Sequence, residues 1–130
     1  MIHIMKRVIP VLLAVLLCLA GCTAEEKMAY RQISQEEAKS MMTRDDGYII
    51  VDVRRQDEYD SGHIPGAVLL PVGSITEAVA SSVIPDYDTI IMVYCRSGKR
   101  SLTASRALAA LGYCNVYEFG GINTWPYEIE

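Results

Sequence analysis

TIIMVYCRSGKRSLTASRALAALG, Thr89 to Gly112, divides into three parts. Thr89 to Tyr94 is an apolar, β-branched run of the kind that forms a buried strand. Six residues follow, Cys95-Arg96-Ser97-Gly98-Lys99-Arg100, as a tight loop. The remainder is rich in Ala, Leu and Ser, and Ala104, Leu108 and Leu111 fall at i, i+4 and i+7. That spacing predicts a helix, with Gly112 placed to stop it. Cys95 then stands at the carboxyl end of a strand and the amino end of a helix. Ligands of open α/β sheets bind at that place.

The chain on either side supplies the rest of such a sheet. Tyr48–Val53 (YIIVDV) is nearly continuous in apolar residues, as a strand covered on both faces should be. Shorter strands are expected at Tyr30–Ile33, Val68–Leu70 and Asn115–Phe119. Ser34 and Glu37 fit a capping box that opens a helix running to about Met42. Asp45-Asp46-Gly47 reads as a turn, and Arg54–Ser61 as one or two helical turns. Gly73–Ser82 reads as a helix capped by Ser74. Strands alternating with helices imply a mostly parallel sheet with right-handed crossovers.

The amino terminus differs in composition from everything after it. Lys6 and Arg7 precede an apolar run from Val8 to Leu19, broken only by Pro10. Twelve residues fall short of the roughly 20 that span a bilayer, and the order matches a secretory signal. Leu19-Ala20-Gly21-Cys22 also resembles the lipobox of bacterial lipoproteins. That resemblance implies cleavage before Cys22 and lipid on its sulfur, which places the protein in a bacterial cell envelope, outside the cytoplasm and anchored to a membrane. The expected organisation is a signal peptide over 1–21, a tether over 22–29 and one domain over 30–130. Loss of residues 1–21 removes Lys6 and Arg7 and no acid, taking the formal charge from −4 to −6. An acidic domain of this kind argues against nucleic acid as a partner. Of the four cysteines, Cys18 leaves with the signal and Cys22 is the lipid site. A Cys95–Cys114 disulfide stays open as an alternative to a free Cys95. His63 with distant cysteines makes a poor metal set, so no metal is expected.

The loop has its own chemistry. A thiolate is the reactive form of cysteine. Three features of the stretch favour it: unpaired N–H groups at a helix amino terminus, a glycine-containing turn that directs N–H groups inward, and the charges of Arg96, Lys99 and Arg100. The same cradle suits a persulfide or a departing anion such as sulfite.

Cys95-Arg96-Ser97-Gly98-Lys99-Arg100-Ser101 resembles the active-site loop of single-domain rhodaneses, the thiosulfate sulfurtransferase family. Asp52-Val53-Arg54 with Glu58-Tyr59 and Gly62-His63-Ile64-Pro65-Gly66-Ala67 resembles the family's amino-terminal signature. Gly120-Gly121 with Trp125 resembles its carboxyl-terminal one. The resemblance implies an α/β rhodanese-like fold, a five-stranded, mostly parallel sheet flanked by helices on both faces. It also implies that Cys95 takes sulfur from a small anionic donor such as thiosulfate and passes it, by way of a persulfide, to a thiol or cyanide, with no cofactor. Arg96, Ser97, Gly98, Lys99 and Arg100 become the cradle, with Arg96 and Arg100 as candidate anion binders. Asp52 and Arg54 read as supporting residues, Arg54 pairing with Glu58 or Asp52. His63 reads as a structural hydrogen bonder and Trp125 as core.

Two alternatives differ in kind. Related phosphatases place an arginine six positions after the cysteine, but residue 101 is Ser and Arg100 is one place short. A module that carries a persulfide, or binds a partner, without turnover fits every residue.

Overall fold

The structure is a computed structural model that describes residues 29–44 and 47–130. The expected signal peptide, Cys22, nearly all of the tether, and Asp45 and Asp46 of the expected turn lie outside the described residues.

Five strands form one sheet: β1 (Arg31–Gln32), β2 (Tyr48–Asp52), β3 (Val68–Leu69), β4 (Ile90–Cys95) and β5 (Val116–Gly121). Their order is β1-β5-β4-β2-β3 and every pairing is parallel. The helices are α1 (Gln35–Arg44), α2 (Gln56–Asp60), α3 (Glu77–Val83) and α4 (Lys99–Ala110). The fold is therefore α/β, one five-stranded parallel sheet with helices packed against it. Among the described residues no helix is long and apolar enough to cross a membrane.

Strand alternation sorts the core into two halves. Ile91, Val93 and Cys95 of β4 face one way and pack with Val51, Val53, Leu70, Ala80, Ala104, Leu108 and Val116. Met92 and Tyr94 face the other way, against Ala38, Met41, Ile50, Ile64, Phe119 and Trp125. With both faces covered, β4 is apolar along its length, and its central place puts Cys95 mid-sheet.

Local chemistry explains most element ends. The Ser34 hydroxyl accepts from the Glu37 N–H at 3.0 Å and opens α1. The segment after β3 departs from expectation. Val72–Ser74 is a 3₁₀ turn, and Thr76 rather than Ser74 caps the following helix, its hydroxyl accepting from the Val79 N–H at 3.3 Å. Pro71 starts the 3₁₀ turn two residues past β3, and its carbonyl accepts from the Ser74 N–H. This commits Ser74 to the turn and delays the helix. The helix after the cysteine begins at Lys99, so Lys99 and Arg100 sit in its first turn and Arg96–Gly98 is the loop proper.

Candidate active site

Cys95 is the last residue of β4 and is 1% exposed. It is a free thiol, so the Cys95–Cys114 bridge is not made. Gly98, at φ 97°, caps α4 in the left-handed region that favours glycine, and its N–H points at Cys95 Sγ from 3.0 Å. Sγ also lies 3.4 Å from Ser101 Oγ, one turn into α4. Burial pushes the Cys95 thiol up. Hydrogen bonds at Sγ, among them those from the backbone N–H groups of Ser101, Gly98 and Ser97, outweigh it, and the net direction is down. The backbone and a helix start, with no histidine, thus make this cysteine acidic.

The third signature shapes the loop from behind. Asn123 N–H donates to the Arg96 carbonyl at 3.1 Å. Gly121 lies so close under the loop that a Cβ there would collide with the Arg96 carbonyl and Ser97 Cα. Its φ of −129° suits any residue, so the requirement is for space alone. β5 carries a register shift just here: Val93 pairs with Glu118 but Cys95 pairs with Gly121. That bulge brings the glycine pair under the loop.

The charged residues are arranged differently from their order in sequence. Arg54 pairs with Asp52, Nε and Nη2 both on the carboxylate, and Nη2 also reaches the Gly62 carbonyl at 2.7 Å. Asp52 is fully buried and also accepts from Tyr94 Oη at 2.6 Å. Tyr94 Oη in turn accepts from the Ile64 N–H at 3.1 Å. Burial and the Asp52 carboxylate push the Tyr94 phenol far up, so it stays a donor. This cluster ties the end of β2 to the Gly62–Ala67 turn.

Glu58 takes Arg100 instead of Arg54. Arg100 Nη1 and Nη2 meet its two oxygens at 2.6 and 2.9 Å, a bidentate pair across 42 residues of sequence. The Arg100 hydrogen bonds hold the Glu58 carboxyl at about 2, well below the usual carboxylate range. Arg100 is thereby engaged in joining α4 to α2. Arg96 and Lys99 are exposed, and among the described residues neither makes an ion pair. Arg96 lines an open cavity of 340 Å³ with Arg54, Asp57, Glu58, Ser61, Ile122 and Asn123.

His63 stacks on Tyr59 with ring centroids 3.8 Å apart, and its Nδ1 lies 3.0 Å from the Tyr59 carbonyl. Trp125 packs on Phe119 and Tyr127 in the second core half. Among the described residues no group of three His, Cys, Asp or Glu could hold a metal ion.

Two residues of the site carry no role in the sequence reading. Ser101 is fully buried, and its hydroxyl donates to Glu118 Oε1 at 2.6 Å. Glu118, on β5, is 3% exposed. Its signal was available: it is the one charged residue of a strand buried on both faces, where charge is uncommon.

A model of the family described as Rhodanese-like domain matches residues 34–127. The thiosulfate sulfurtransferase PspE of Escherichia coli is 35% identical over 55% of this chain and 68% of its own length. A protein of Schizosaccharomyces pombe is 39% identical over 61% of this chain, which spans 63% of that relative's length. Among solved structures, the Rhodanese-like domain from the Alr3790 protein of Anabaena superposes with a TM-score of 0.70 at 27% identity, covering 78% of this chain and 80% of that one.

Proposed function

We propose that this chain, which belongs to the rhodanese-like domain family, is a sulfurtransferase working through a persulfide on Cys95. The observation that carries the reading is Cys95 Sγ beneath the Gly98 N–H at 3.0 Å, with its thiol drawn down.

In the first half-reaction the Cys95 thiolate attacks the sulfane sulfur of a donor. The Sγ–S bond forms as the donor's S–S bond breaks, and the bond pair leaves with the remainder, as sulfite when the donor is thiosulfate. The persulfide's terminal sulfur then carries the negative charge, at the mouth of the N–H cradle. In the second half-reaction a thiol or cyanide takes the outer sulfur, and Cys95 departs as thiolate. Double displacement of this kind has ping-pong kinetics.

Arg96 and Lys99 are the cations left to meet an anionic donor, because Arg100 is committed to Glu58. A Cys-dependent phosphatase is disfavoured. It needs a guanidinium where Ser101 stands, and Ser101 is buried against Glu118.

The test is mass spectrometry of Cys95 after incubation with thiosulfate, 3-mercaptopyruvate or glutathione persulfide, together with kcat/KM for each. One added sulfur on Cys95 and multiple turnover with thiosulfate is the expected result. A stable adduct without turnover makes the protein a persulfide carrier. An unmodified Cys95 with every donor removes the sulfur readings.

The signal and lipid site complete the proposal. Cys22 anchors the domain outside the cytoplasm, supported by Leu19-Ala20-Gly21-Cys22 after an apolar run. Cys22→Ser should leave the precursor uncut and release the domain from membranes. Unchanged processing and fractionation would end that reading.

A further inference from the structure

Glu118 is a buried carboxylate that the sulfur-transfer steps above do not use. It lies on the same sheet face as Cys95, and its Oε1 accepts from Ser101 Oγ at 2.6 Å and from the Gly120 N–H at 2.8 Å. Its Oε2 accepts from Gln32 Nε2 at 3.4 Å. All three donors are neutral, and among the described residues Glu118 makes no ion pair. Of the charged groups around the cysteine, Arg100 of α4 is engaged with Glu58 of α2 and Arg54 with Asp52 at the end of β2, while Arg96 and Lys99 of the loop and first turn of α4 are exposed to solvent.

Ser101 has one hydroxyl proton and three groups within reach of it: Glu118 Oε1, Cys95 Sγ and, at 3.5 Å, the Gly120 carbonyl. The 2.6 Å contact to a carboxylate is short and charge-assisted, while Sγ is 3.4 Å away. The proton therefore sits toward Glu118, and a lone pair of Ser101 Oγ faces Cys95. A lone pair accepts from a thiol S–H and repels a thiolate.

We propose that Glu118 is a positioning residue that, through Ser101, keeps the hydroxyl proton away from Cys95 and so favours the persulfide-loaded form over the bare thiolate. This rests on the sulfur-transfer reading. In the persulfide, Sγ has neither proton nor charge, and the Ser101–Glu118 bond stands undisturbed. Discharge breaks the Sγ–S bond and returns its electron pair to Sγ, facing the Ser101 lone pair. That thiolate is a poorer leaving group than one the hydroxyl points at. In loading, the same less stabilised thiolate is the stronger nucleophile. The cradle N–H groups still make Cys95 acidic, and Glu118 limits how far.

The test is alkylation of Cys95 by iodoacetamide across pH in the full chain, read on the Cys95 peptide, for wild type, Glu118→Gln, Ser101→Ala and the double variant. Glutamine keeps the shape, but its neutral oxygen competes less well than a thiolate for the Ser101 proton. The midpoint should fall by about one pH unit, a tenfold change in the thiolate-to-thiol ratio. The shift should shrink by at least half in the Ser101→Ala background, as coupled sites require. Glu118→Asp, which keeps the charge but shortens the reach, should move the midpoint the same way. Preloaded Glu118→Gln should hand its sulfur to glutathione faster than wild type. An unmoved or raised midpoint overturns the proposal. An equal shift without Ser101 also overturns it, because charge alone would then suffice. Alkylation needs no sulfur donor, so the two readings fail separately. Normal loading with an unmoved midpoint sinks only this inference; a Cys95 that never loads sinks the sulfur-transfer reading beneath it.

Discussion

Replacing Glu58 by Gln isolates the link between α4 and α2. The carboxyl group titrates at about 2 instead of its ordinary 4.5, first because Arg100 donates two hydrogen bonds to it, against a smaller opposing push from burial. The native state therefore binds this proton less readily than the unfolded chain does. The resulting stability is fully present above about pH 4.5 and is lost as pH falls toward 2. Two and a half pH units correspond to an upper bound of about 3 kcal/mol. Arg100 is 32% exposed beside a Glu58 of 13%, so solvent screens the pair, and about 1–2 kcal/mol is the expected share. Glu58→Gln removes it at neutral pH and has nothing left to remove near pH 2. Urea unfolding of both proteins at intervals from pH 7 down to pH 3 measures the difference. The two stability curves should converge as pH falls. Parallel curves, with a constant gap or none, would refute the ion pair as the source.

Three further outcomes follow from the geometry of the site. Gly121→Ala puts a Cβ into the Arg96 carbonyl, so the loop must move outward; sulfur loading of Cys95 should fall by at least about tenfold, one lost N–H bond at a reacting sulfur being worth that much. Tyr94→Phe strips a donor from Asp52 and the acceptor from the Ile64 N–H, both buried; denaturant melts should show a loss of about 1–3 kcal/mol, with Cys95 still able to load. Cys95→Ser should fold normally by circular dichroism and take up no sulfur from any donor.

The element order was legible because local signals agree with the fold. Apolar runs mark β2 and β4, Ser34 marks the start of α1, and Gly112 follows the last turn of α4. The strand order β1-β5-β4-β2-β3 was not, since hydrophobic runs say which strands are buried but not which are neighbours. The helix after β3 was misplaced because Ser74 and Thr76 are both good caps, and the turn begun at Pro71 decides between them. At the site, Cys95 and its loop stand together in sequence and were read together. Arg54 had two carboxylates in reach along the chain, and only the fold shows Glu58 turned toward Arg100. The charge of Glu118 in an apolar strand was readable, but its contact with Ser101 was not, because a residue on a neighbouring parallel strand comes near through the sheet, not through sequence.

That geometry also explains why the three signatures belong to one site. A loop of three residues cannot hold its own N–H groups inward against the loss of backbone entropy. Each side of this one is held by something remote. The Arg96 carbonyl is taken by the Asn123 N–H, and the space beneath it is kept by Gly121. The first turn of α4 is tied to α2 by Arg100 and Glu58. The turn before β3 is tied to the end of β2 by Arg54 on Gly62 and by Tyr94 on Asp52 and Ile64. The donors that meet Sγ are thus set before any sulfur arrives, and preorganisation of that kind is what lets a backbone cradle stabilise an anion without reorganising. Weakening a tie on the loop itself should therefore cost sulfur transfer more than it costs stability, and weakening one on the scaffold beside it should do the reverse. Gly121→Ala and Tyr94→Phe separate the two effects, one acting on the loop itself and the other on the scaffold beside it.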